Sequence, residues 1–122
     1  MNILADTNIW CHYFRYGEPT LTSLIEYDFL AIHPLVIGEL SMGTLPKRQQ
    51  TIKDLHAFPR LRPTSYKEIH VLLEEHTLWG KGHQWNDLAI LASVLTTPGT
   101  LLWTKDKRLA ETANILSVNY EP

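Results

Sequence analysis

Four short apolar runs recur along the chain: NILA at 2–5, FLAIH at 29–33, TLLW at 100–103 and ILSV at 115–118. Longer stretches with helical spacing separate them, and this alternation constrains the fold more than any other feature. Strands joined through helices pair in parallel and favour a layered α/β arrangement. The expected architecture is a three-layer α/β/α sandwich with a central, mainly parallel sheet. At 122 residues the chain fits a single domain spanning 1–122 and is too short for two.

The intervening stretches read as helices with recognisable ends. Asp6-Thr7-Asn8 offers side-chain caps for a helix over about 9–15, and GEPT breaks it before a second short helix, LTSLIEY. Pro34 suits the first turn of LVIGELSMG, which should stop at Gly43. KRQQTIKDLHAF has helical spacing, and FPRLRP is a loop marked by two prolines. Ser65 with Glu68 forms a capping-box pattern for an amphipathic helix running to Trp79. The loop GKGHQW then leads into NDLAILASVLTT, closed by Pro98-Gly99, and KDKRLAETAN is a polar helix.

Carboxylates stand at telling positions. In open parallel sheets, sites lie beyond the carboxyl ends of the strands. Asp6 follows NILA and Asp106 follows TLLW, which gives them a shared address. Glu39 shares a helical face with Leu35, Val36 and Met42, and Asp87 leads the face of Ile90, Leu91 and Val94. Each acid also has a bland reading: Asp6 and Asp106 as helix caps, Asp87 as an N-terminal helix acid favoured by the dipole. Glu39 has the weakest such reading, because an ionised carboxylate among apolar neighbours costs several kcal/mol unless paired or bound to metal. One acidic pocket explains all four together. A hard divalent ion relieves the repulsion among clustered carboxylates, and Mg²⁺ takes only one or two of them directly. Two such ions can activate water and stabilise the leaving oxygen of a phosphodiester.

Other chemistries lack their residues. His70 and His76 do not have helical zinc spacing. GKGH is not a P-loop, and no histidine sits in a nucleophilic triad pattern. Asp6-Thr7-Asn8 lacks the second acid of a DxD phosphatase, and the early paired acids of a receiver domain are missing.

A formal net charge of −2 means that any nucleic acid must be held by a local patch. Lys81, His83 and Trp85 precede Asp87, and Lys105, Lys107 and Arg108 surround Asp106. Cations there would contact phosphates, while Trp85 or Trp79 would stack on an unpaired base; solvated charges and packed indoles are the alternative. Arg60 and Arg62 extend the candidate patch. The lone cysteine, Cys11, excludes an intrachain disulfide and reads as a small core filler. No signal peptide and no run near the ~20 apolar residues of a membrane span is evident, so a soluble, cytoplasmic protein is expected.

In order and spacing, LADTNIW, VIGEL, WNDLAILAS and LLWTKDKRL resemble the successive acidic motifs of the PIN domain. The resemblance covers nearly the whole chain and is closest to the VapC-like ribonuclease toxins of toxin–antitoxin pairs. It implies a Mg²⁺- or Mn²⁺-dependent endoribonuclease acting on structured RNA such as tRNA or rRNA. Asp6, Glu39, Asp87 and Asp106 match the metal-binding acids, and Thr104 and Asn8 match supporting polar positions. A homodimer and a VapB-like antitoxin are also implied, with Trp10 and Tyr13 as candidate contact surface or as core. The competing reading is an inactive PIN-like binding module whose metal is structural.

Overall fold

Strand β1 (Asn2–Ala5) lies between β2 (Leu30–Ala31) and β3 (Thr100–Trp103), and both pairings are parallel. The computed structural model describes residues Met1–Pro122. Leu4 is in register with Ala31 on one side and Leu102 on the other. Ile3, Leu4 and Ala5 are all 0% exposed. Successive strand residues point to opposite faces, so complete burial at all three requires cover on both faces of the sheet. Helices α6 (Trp85–Leu95) and α7 (Lys107–Ile115) pack on β3, and α2 (Pro19–Glu26) packs on β2. The result is the expected α/β sandwich, closed around one cluster of buried apolar side chains. No helix is long and apolar enough to cross a membrane.

The sheet edges are covered by extended segments too short to be strands. Beside β2, Ile32 donates to the Pro59 carbonyl and accepts from Leu61. Beside β3, Leu102 donates to the Val118 carbonyl and accepts from Tyr120. The expected strand ILSV is therefore displaced: Ile115 ends α7, Ser117 turns at φ 62°, and the sheet contact begins only at Val118. The physical reason is the end of α7, where Ser117 and Val118 donate back to the Asn114 and Ala113 carbonyls. The same closure shortens α5 (Tyr66–Glu75). Thr77 and Leu78 donate to the Glu74 and Leu73 carbonyls, which stops the helix before Trp79 and turns Leu78 into the core. Its Ser65–Glu68 capping box is formed as expected.

The remaining helices are α1 (Thr7–Tyr16), α3 (Pro34–Ser41) and α4 (Arg48–Ala57). Two expectations fail here. Helix α3 stops at Ser41 and leaves Met42 89% exposed, so the apolar face assigned to Glu39 is incomplete and Glu39 itself is exposed. Cys11 is exposed and not a core filler, because it lies on the solvent side of α1. Trp10 does belong to the core, packed against Tyr13, Phe14 and Phe58.

Candidate metal groove at the carboxyl edge of the sheet

Asp6 is where the strand becomes a helix. Its N–H completes the β1–β3 ladder on the Trp103 carbonyl at 2.8 Å, and its backbone then leaves the sheet as the N-cap of α1. Oδ1 accepts from the Thr7 N–H at 2.8 Å, and Oδ2 accepts from the Thr104 hydroxyl at 2.8 Å. Asn8 joins the two strand ends: its Nδ2 donates to Thr104 Oγ1 at 3.1 Å, and its Oδ1 accepts from the Lys105 N–H at 3.0 Å. Thr104 Oγ1 also accepts from the Asp106 N–H. Thr104 and Asn8 thus hold the Asp6 carboxylate in a single orientation.

The other acids come from three further segments. Asp106 caps α7, its Oδ1 accepting from the Arg108 and Leu109 N–H groups at 2.9 and 3.2 Å. Asp87 stands in the first turn of α6, and its Oδ2 accepts from the Gln84 N–H at 3.0 Å. Glu39 projects from α3. All four line one open groove of about 480 Å³. The capping and pocket readings are therefore compatible, since a carboxylate has two oxygens and several lone pairs.

Electrostatics mark the groove as a site of unrelieved negative charge. Burial pushes the Asp6 carboxyl above its ordinary value; the Thr104 and Thr7 hydrogen bonds oppose this, and the charges of Asp87 and Asp106 add to it. Glu39, though exposed as a residue, is also raised, first by the partial desolvation of its carboxyl in the groove and then by Asp6 and Asp87. The Thr7 hydroxyl is near enough to Glu39 to favour its ionised form slightly. Its geometry falls short of a hydrogen bond, so this buried oxygen has no partner. An all-oxygen set with mutual repulsion and an orphaned hydroxyl fits a hard divalent cation. No three carboxylates converge as a closed chelate.

The cations divide into several groups. Lys105 lines the groove itself. Lys81, Lys107 and Arg108 are exposed. The Arg108 guanidinium lies across Gly82, whose φ of +83° and missing Cβ permit that approach. His83 is hydrogen-bonded to Thr112 at 2.8 Å and half-buried, so it anchors the 80–84 loop to α7. Arg62 is paired with Glu68 at 3.1 Å, and Arg60 is exposed. Trp85 and Trp79 are 40% and 55% exposed.

Residues of α1 that sequence reasoning passed over also reach the groove, namely Thr7, His12, Arg15 and Tyr16. A signal for them exists. Asn8, Cys11 and Arg15 recur at offsets of three and four, so one face of α1 runs along the groove from the cap onward.

A parallel sheet that delivers acids from β1, α3, α6 and the β3–α7 turn to one edge groove defines an acid-lined α/β domain. The model of the PIN-domain family matches residues 3–115, and the chain belongs to that family. Among its relatives is Ribonuclease VapC32 of Mycobacterium tuberculosis, in strains CDC 1551/Oshkosh and ATCC 25618/H37Rv. Each is 36% identical over 110 residues, covering 88% of this chain and 86% of the relative.

Proposed function

We propose that the chain is a divalent-metal-dependent endoribonuclease, the toxin of a toxin–antitoxin pair. The observation that carries this reading is the meeting of Asp6, Glu39, Asp87 and Asp106 in one groove, with Lys105 and Arg15 on its lining. The relationship to a VapC ribonuclease supports the same reaction class. The four acids would hold Mg²⁺ or Mn²⁺. When bound, such an ion neutralises the acids and stabilises developing charge on the phosphodiester.

This chain's own residues supply the positioning. Thr104 and Asn8 fix the Asp6 carboxylate, while the backbone N–H groups of Arg108 and Leu109 fix that of Asp106. Lys105 and Arg15 draw a phosphate toward an otherwise anionic groove, with Lys107 and Arg108 extending the positive rim. The substrate is structured RNA, tRNA or rRNA. A VapB-like antitoxin, a homodimer, a cytoplasmic setting and a single domain over 1–122 complete the proposal.

The test is cleavage of total tRNA and rRNA by purified protein with Mg²⁺, Mn²⁺ or EDTA, beside an Asp6→Asn control. Discrete fragments that need metal and vanish in the variant are the expected result. Absence of cleavage, with metal still raising the melting temperature, would replace this reading with a non-catalytic module.

A further inference from the structure

We propose that Trp85, Tyr66 and His70 form a stacking ladder for unpaired bases of the RNA, set beside the acidic groove. The inference rests on the ribonuclease reading and adds a binding element to it. Trp85 and Tyr66 stack with centroids 5.1 Å apart and planes 27° from parallel. Tyr66 and His70 continue the stack at 6.0 Å and 21°. In the core, Trp10 meets Tyr13 edge-on at 87° but Phe14 near-parallel at 27°, and Trp103 meets Tyr120 at 67°, so exposure and not ring geometry sets the ladder apart.

Burial separates the ladder from these core contacts. Trp10 and Trp103 are 2% and 5% exposed, whereas Tyr66 is 71% exposed, Trp85 40%, and His70 is also exposed. Flat rings in water, already aligned, offer a surface that another planar group extends at little conformational cost.

Placement identifies the occupant. Tyr66 and His70 are four residues apart on α5 and so share a face, and α5 packs on α6. Trp85 is the first residue of α6 and Asp87 the third. The ladder and Asp87 therefore share one end of α6, on different faces of its first turn. Exposed Lys67 follows Tyr66 on α5, exposed Lys81 lies in the loop that leads into Trp85, and Arg62 neutralises Glu68. Glu74, 3.9 Å from His70, is the anion at the far end of the row. A planar stack with flanking cations suits single-stranded RNA, and because every base has a stacking face it selects for unpaired segments and not for sequence.

The experiment measures binding of fluorescein-labelled single-stranded RNA and of a blunt duplex of equal length, in EDTA so that no cleavage occurs. The full chain is compared with Tyr66→Ala, Trp85→Ala, Trp85→Phe and Trp79→Ala. Expected is about a tenfold loss of single-strand affinity for the two ladder alanine variants. Duplex binding is expected to stay unchanged, as are the phenylalanine variant and the Trp79 control. His70→Ala removes only the exposed outer ring and reads the same property, as a smaller loss, should Trp85→Ala fail to fold. Equal single-strand affinity in the ladder variants, or an equal loss on duplex, overturns the ladder. Metal-dependent cleavage alongside that result would leave the ribonuclease reading standing.

Discussion

Ionising Glu39 works against its surroundings: burial, then the charges of Asp6 and Asp87, hold its carboxyl above the ordinary value. In the pH window between the ordinary and the raised value, the folded state binds more protons than the unfolded state. Stability therefore falls as pH rises through that window. Glu39→Gln should raise the melting temperature in EDTA at neutral pH and shrink the further rise produced by Mg²⁺, both read by scanning calorimetry. Thr104→Val removes the donor that fixes Asp6 Oδ2. Loss of such a supporting hydrogen bond typically lowers metal affinity or activity by about 10–100-fold, so a fall of that order in Mn²⁺ affinity is the expected outcome. Asp6 and Asp106 are legible as candidates from their places after strands and Asp87 from the first turn of an apolar helix, whereas Glu39 reaches the same groove although the apolar face that singles it out is incomplete. Arg15 is legible only through its helical phase with Asn8 and Cys11, which puts it on the groove side of α1 without telling a groove-facing arginine from a solvated one.

Among the elements, helix ends explain most departures from sequence reading. Helices α2, α5 and α7 close through Asp28, Thr77 and Ser117 at positive φ, where glycine is the usual occupant. A sequence scan for C-terminal glycines misses all three. The helical spacing therefore continues to Trp79 in sequence beyond the end of α5, and ILSV has the look of a strand without forming one. Thr77 is the most strained type, because a β-branched side chain fits the left-handed region poorly. Thr77→Gly should stabilise the protein by about 1 kcal/mol, seen as a rise of several degrees in melting temperature. Gly82→Ala should do the opposite. Its φ of +83° is one that a Cβ disfavours, so thermal stability should drop and the 80–84 loop should open more often, while the exposed Arg108 guanidinium swings aside. Loss of protection of the loop amides in hydrogen exchange would report it.

Over the whole molecule, alternation of apolar runs and helices was enough to read the parallel sheet, and the strand-end rule was enough to place its site. What remained hidden were contacts made only by folding, and His33 is the clearest case. In sequence it merely ends FLAIH; in the fold it is buried, caps α3 through Nδ1, and shares a 2.9 Å hydrogen bond through Nε2 with Ser93 in α6. Burial lowers its pKa to about 4 from an ordinary 6.5. Between these values the unfolded chain binds the extra proton, so stability is intact above the upper value and is lost as pH falls toward the lower one. The full effect is about 3 kcal/mol. Denaturant melts at neutral and mildly acid pH should show this loss, and His33→Asn, which keeps a capping side chain, should remove most of it.

Asp6, Glu39, Asp87 and Asp106 are proposed to act together as one site for a divalent cation. Calorimetric titration with Mn²⁺ at neutral pH tests it most directly, using the wild type and the amide variants of each acid. Saturable binding by the wild type, weakened at least about tenfold by every one of the four substitutions, is the predicted result. Wild-type affinity retained in the Asp6→Asn and Glu39→Gln variants would contradict it.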